Sequence, residues 1–182
     1  KPDEEVSSLL PGRNETYDTE IYRFNYTSLI TPRSIYDEDV VSGKRTLRKR
    51  IEVLGGYDPD DYETVRMNAP GHDGVEIPMS IVHRKGVRPD GSNPVLLYGY
   101  GSYGSSLDPY FSSTRVSLLD RGVVYAIGHI RGGSERGRQW YEDGKFLKKR
   151  NTFEDFISCG EALKASVHCR IVPPFPSYPI PG

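Results

Sequence analysis

The stretch VLLYGYGSYG (95–104) decides how this chain is read. A continuous apolar run enters a cluster of glycines, with Gly99, Gly101 and Gly104 in G-x-G-x-x-G spacing. Such a run reads as a strand buried on both faces of a sheet. A dinucleotide loop would need a helix to open at the third glycine, where free N–H groups hold a pyrophosphate. Gly104 is followed instead by SSLDPYFSS, in which Pro109 and the serine clusters favour a loop. Tyr100 and Tyr103 add bulk where a cofactor needs room, and Asp120 falls on a helical pattern rather than at the end of the next strand. Nucleotide binding through 99–104 is therefore the lowest-ranked reading, and no cofactor is expected. A strand ending in glycines can also project a phenol at the carboxyl edge of a sheet, where open α/β sheets place their sites. A phenol aimed into a dry cleft can donate to a developing oxyanion, an interaction worth about 3 kcal/mol of barrier. From this loop alone, packing aromatics are an equal alternative.

Working outward, STRVSLLDRG (113–122) reads as a helix stopped by Gly122, and VVYAIGHI (123–130) as a second buried strand. NTFEDFISCGEALKAS (151–166) is the clearest helix. Asn151 and Glu154 have the spacing of a capping box, and Phe153, Phe156, Ile157, Gly160 and Leu163 fall on one face. This alternation of strand and helix predicts an α/β sheet with right-handed crossovers. Upstream, IYRFNYTSL (21–29), RSIYDEDV (33–40) and TLRKRIEVL (46–54) alternate as strands of a meander, with Tyr22, Phe24 and Tyr26 on one side. That aromatic face needs a second layer to cover it. GGYDPDDY (55–62) is a linker by composition. ETVRMNAP (63–70) and VEIPMSIVHRK (75–85) form a strand pair about the turn Gly71–Gly74. The last ten residues, PPFPSYPIPG, hold five prolines, which exclude a helix or a central strand. They read as an unstructured tail, or as a polyproline II ligand through two P-x-x-P spacings.

The chain has 182 residues with 24 basic and 25 acidic side chains, a net charge of -1. No overall field recruits nucleic acid or a membrane surface. Hydrophobic residues make up 36% and mean hydropathy is -0.58, lean for a chain of this length. Two cysteines, Cys159 and Cys169, support neither a disulfide framework nor a zinc site, so no metal is expected. Free thiols point to a reducing compartment, with a cytoplasmic placement expected. No run has transmembrane length and no signal-peptide pattern is present. Lys145, Lys148, Lys149 and Arg150 read as a solvated basic face, and His129, at the end of a buried strand, as a structural or surface histidine.

YGYGSYG (98–104) and HIRGGSERGRQWYEDGKFLKKRNTFEDF (129–156) resemble the prolyl oligopeptidase family of serine peptidases, in particular its oligopeptidase B branch. SLLDRGVVYAIGHIRGG (117–133) and VLGGYDP (53–59) extend the resemblance. It implies a β-propeller joined to an α/β-hydrolase domain. Residues 1–58 would be the last antiparallel propeller strands, 59–165 the N-terminal part of an incomplete hydrolase domain, and 166–182 a divergent proline-rich tail. The activity implied is hydrolysis of short peptides after Arg or Lys through an acyl-enzyme. By resemblance, Tyr100 matches the tyrosine that supplies half of the oxyanion hole. Tyr103 matches an aromatic lining the pocket for the residue before the cut. Asp108 matches an acid that holds a basic residue one step further along the substrate. Tyr110 stands where some relatives carry a second acid, which implies a weaker preference. Arg131, Gly132, Gly133 and Glu135 match a family signature whose spacing fits a turn and an ion pair, and Trp140 is a packing anchor.

Acyl transfer also needs a nucleophile on a sharp strand-to-helix turn, usually G-x-S-x-G. No serine here has glycines at both flanking positions; Ser102 and Ser134 each miss one. The chain is therefore expected to be truncated before the nucleophile and inactive by itself. The expected partners are short peptides with basic residues. A different class of reading is a non-catalytic peptide-binding or interaction protein. Self-association through an exposed apolar sheet edge is a further expectation.

Overall fold

The computed structural model describes residues 4–88 and 90–166. The proline-rich tail, Cys169 and His168 lie outside the described residues. Two four-stranded sheets follow one another along the chain. The first runs β1 (Ser7–Pro11), β2 (Ile21–Ser28), β3 (Ser34–Asp39) and β4 (Arg45–Arg50), all antiparallel and in sequence order. The meander read over 21–54 is present, with β1 added at its start. Phe24 stacks on Tyr36, and Tyr26 meets the same ring edge-on, so the cross-strand aromatics form one face.

The second sheet is mixed, in the order β5-β6-β8-β7. β5 (Tyr62–Pro70) and β6 (Glu76–Arg84) form the expected hairpin, β8 (Val124–Gly128) pairs antiparallel with β6, and β7 (Val95–Tyr98) pairs parallel with β8. Parallel neighbours need a crossover, and α1 (Ser113–Leu119) lies in it. Alternation then sorts the side chains of this sheet. Ile77, Met79, Ile81, Val124 and Ala126 pack towards α3 (Arg150–Ala165), meeting Cys159 and Leu163. Val82 and Ile127 face the other way and join Leu119 of α1 with Val6, Leu29 and Tyr62. This second cluster binds the two sheets together. Each fully buried aliphatic side chain contributes about 2 kcal/mol.

Three sequence expectations are corrected. β7 is the end strand of its sheet and is not buried on both faces. Val95 and Leu97 pack on the core, whereas Leu96 and Tyr98 are 45% and 46% exposed. α1 lies over β6 and β8, and among the described residues no helix packs substantially on that face of β7. Helix α3 begins two residues earlier than the capping box predicts. Its N-cap is Lys149, Asn151 donates instead to the Asp143 carbonyl, and Glu154 is engaged by Arg150 and His72. The buried face of α3 is Thr152, Asp155, Cys159 and Leu163, while Phe153, Phe156 and Ile157 are exposed. A buried ion pair at Asp155 rotates the polar residues inward, against the hydrophobic periodicity.

Candidate functional site

Tyr100, Tyr103 and Asp108 all lie on an irregular segment between β7 and α1. Lacking ladder hydrogen bonds, this segment is held by the 129–152 region. Gly101 has φ +60°, and a Cβ there would come within 2.5 Å of Thr152 and 2.8 Å of the Arg131 carbonyl. A Cβ on Gly132 would lie 2.0 Å from the Gly101 carbonyl oxygen. These glycines let two backbones touch. No helix opens at Gly104, since α1 does not begin until Ser113, so the phosphate-cradling geometry is not formed here.

Polar clamps complete the hold. The Gly104 N–H donates to the Gly132 carbonyl at 2.9 Å, and the Ser134 hydroxyl donates to the Gly104 carbonyl. Lys149 Nζ donates to the Gly101 carbonyl and, at 2.7 Å, to Ser102 Oγ. Burial lowers the Lys149 pKa. This corrects the solvated basic face. Lys145, Lys148 and Arg150 do form surface ion pairs with Glu142, Asp143 and Glu154, but Lys149 turns inward onto the loop.

Tyr100 leaves the end of β7 half-exposed. Tyr103 is exposed and holds φ +56°, a left-handed conformation that costs a non-glycine residue about 1 kcal/mol. The Tyr110 hydroxyl donates to Asp108 Oδ2 at 2.8 Å, and that bond raises the Tyr110 pKa. Tyr110 thus stands beside Asp108 as a hydrogen-bond donor to it.

Asp108 lines a cleft of about 280 Å³ together with Glu5, Ser80, His129, Ser134 and Glu135. Tyr100 and Tyr103 are not among its lining residues. At its floor the Ser80 hydroxyl and His129 Nε2 are 2.8 Å apart, both side chains buried. His129 Nδ1 faces Glu135 Oε1 at 3.8 Å. At that distance no hydrogen bond joins them, and His129 Nδ1 has no hydrogen-bond partner among the described residues. Glu135 Oε1 accepts the Leu107 N–H at 3.0 Å, one residue before Asp108. Ser80, His129 and Glu135 stand in line, but the step from imidazole to carboxylate is too long for a hydrogen bond, and Ser80 is not on a nucleophile turn. It sits mid-strand in register with Arg66 on one side and Ile127 on the other, so its backbone belongs to the ladder.

Behind the cleft, Arg131 is 4% exposed and spans Asp155 and Asp73 at 2.6 and 2.5 Å. The Trp140 indole donates to the His129 carbonyl at 2.9 Å. Sequence reasoning missed Ser80, Lys149 and the reach of Glu135. A lone serine in the apolar run of 75–82 was a signal, whereas nothing in the sequence distinguishes Lys149 from its basic neighbours. Among the described residues, no group of His, Cys, Asp and Glu is placed to hold a metal, and no helix is long and apolar enough to cross a membrane.

Residues 109–169 match the model of the prolyl oligopeptidase family. Dipeptidyl aminopeptidase BI of Pseudoxanthomonas mexicana is 49% identical over 164 residues, covering 90% of this chain and 22% of that protein. Protease 2 of Moraxella lacunata is 40% identical over 161 residues, covering 88% of this chain and 23% of that protein. The solved oligopeptidase B from Trypanosoma brucei, in its closed form with covalently bound antipain, superposes with a TM-score of 0.85 at 44% identity. That match covers 93% of this chain and 24% of the other. The chain belongs to the prolyl oligopeptidase family. It spans under a quarter of the length of the curated relatives named here.

Proposed function

We propose that this chain is part of a serine-type oligopeptidase that hydrolyses short peptides after Arg or Lys through an acyl-enzyme. The observation that carries this reading is the clamped segment 99–108, which sets Tyr100 at the carboxyl end of a strand and Asp108 in a cleft. In this reading residues 1–58 are the end of a β-propeller and 59–165 the opening of an α/β-hydrolase domain. The division between the two sheets supports it. Tyr100 donates to the oxyanion, Tyr103 lines the pocket for the residue before the cut, and Asp108 pairs with a basic substrate side chain. A carboxylate on a desolvated cation is worth about 1.5–3 kcal/mol.

The 182-residue chain by itself is proposed to be inactive, because no serine in it has the G-x-S-x-G setting. The test is incubation of the purified chain with an arginyl peptide amide and with a fluorophosphonate probe, beside the Ser80→Ala variant. No turnover and no labelling are expected. Labelling of the chain that disappears in Ser80→Ala would make Ser80 a nucleophile and overturn the inactive reading. Isothermal titration with short arginine-containing peptides tests recognition separately, with weaker binding expected for Asp108→Asn. Binding without turnover is equally what a non-catalytic peptide-binding protein would give. Loss of all peptide affinity in a folded chain would remove both readings.

The half-exposed Leu96 and Tyr98 of β7 support self-association through that edge. Sedimentation velocity should show concentration-dependent dimers, weakened by Leu96→Lys.

A further inference from the structure

We propose that Glu135 is a positioning residue for Asp108, holding the peptide-binding segment through the Leu107 amide, with the His129 imidazole, bonded to Ser80, packed beside its carboxylate. The inference rests on the reading of Asp108 as a substrate-binding acid and adds the device that sets its place.

The segment 105–110 has no ladder of its own. Tyr110 N–H folds back on the Asp108 carbonyl at 2.9 Å, a local turn that fixes nothing relative to the sheet. The Leu107 N–H is tied to Glu135 Oε1, across the cleft. Glu135 is itself placed from two sides. Its carboxylate lies against Gly133, where a Cβ would come within 2.1 Å of Oε2, so the signature glycine is what admits it. His129 Nδ1 faces Oε1, and the imidazole is fixed in turn by Ser80 on β6 and by Trp140, which binds the His129 carbonyl. The imidazole is bonded to the sheet and stands 3.8 Å from the carboxylate, and the carboxylate is bonded to the Leu107 amide next to Asp108. The carboxylate side chain is 11% exposed. A charged acceptor held this dry forms a stronger bond to an amide than a solvated one would. Asp108 follows Leu107 directly, so freedom at that amide becomes freedom of the acid.

Positioning and direct charge contact make different predictions. If Glu135 acts through its acceptor oxygen, Glu135→Gln keeps that oxygen and keeps peptide binding close to wild type. If Glu135 itself met the basic substrate group, Glu135→Gln would lose as much as Glu135→Ala.

The experiment uses the 182-residue chain, with amide hydrogen exchange read by NMR and binding of a short arginine-containing peptide read by titration. Glu135→Ala should speed Leu107 exchange by about tenfold or more and weaken binding by about three- to tenfold. Glu135→Gln should hold both within about threefold of wild type. His129→Phe, which changes the side chain packed beside Glu135 and leaves Glu135, should speed Leu107 exchange by less than Glu135→Ala does. It also tests the proposal should Glu135→Ala not fold. Unchanged Leu107 exchange in Glu135→Ala, or in His129→Phe where Glu135→Ala does not fold, overturns the inference. So does equal loss of binding in Gln and Ala. Asp108→Asn separates the two layers. If it leaves binding unchanged, the reading of Asp108 fails, while Leu107 exchange still reports on the Glu135 clamp.

Discussion

Asp155 takes three hydrogen bonds from Arg131. Its Oδ2 accepts the backbone N–H and Nε, both at 2.9 Å, and its Oδ1 accepts Nη2 at 2.6 Å. The carboxylate is fully buried and the guanidinium nearly so, joining the 129–133 turn to helix α3. Removing Asp155 leaves the buried guanidinium with Asp73 alone, and an under-compensated buried charge costs more than the pair contributes. Asp155→Leu should therefore lower the unfolding free energy by about 3–5 kcal/mol. The double variant Arg131→Met with Asp155→Leu should recover most of that loss. Urea denaturation of the three chains checks it; a double variant no better than the single one contradicts it.

Arg131 also holds Asp73, and that hydrogen bond keeps the Asp73 carboxyl below its ordinary range. A group depressed in the folded state stabilises above its unfolded pKa of about 4, and that contribution is lost as pH falls through the folded value. Asp73→Asn should make stability fall less steeply below about pH 4 and be less stable at neutral pH. Thermal melts from pH 7 to pH 2 measure the difference.

At the alkaline end the sign reverses. Burial, with a hydrogen bond to Asp120, pushes the Tyr62 hydroxyl up to about 12. A raised folded pKa gives stability that is complete below the unfolded value of about 10 and is lost as pH rises through 12. Tyr62→Phe should lose less stability than wild type between about pH 10 and 12. Residual loss in the variant is expected from Tyr57, stacked on Tyr62 and raised further by burial.

Cys159 is buried on the inner face of α3, and burial pushes its thiol up to about 12. It is a core residue with almost no thiolate at neutral pH. Maleimide labelling of the native chain should spare Cys159, and its labelling rate in urea should track unfolding. Rapid labelling under native conditions would mean that α3 opens locally.

Much of the fold was legible because local rules and tertiary demands agree there. The β2–β3–β4 meander and the β5–β6 hairpin follow from alternation and turn residues, and α1 ends where Gly122 allows. The misreadings of α3 and of the basic cluster share one cause. Phe153, Phe156 and Ile157 define the apolar stripe of α3, yet the helix buries Thr152 and Asp155, because Asp155 answers a buried arginine on another segment. The solvated basic cluster loses Lys149 for a similar reason: carbonyl and hydroxyl acceptors at Gly101 and Ser102 lie far away in sequence.

The amino-acid sequence alone determined the strand and helix periodicities, the family resemblance, and the lack of a serine in nucleophile spacing. These depend on residue type and short spacing, which the chain carries without folding. Only the tertiary structure decided that Gly101 and Gly104 serve the contact with Gly132, that Glu135 reaches the amide beside Asp108, and that Ser80 meets His129. Each joins segments separated by about thirty residues or more, and hydrogen bonds of that kind form only when packing brings donor and acceptor within 3 Å.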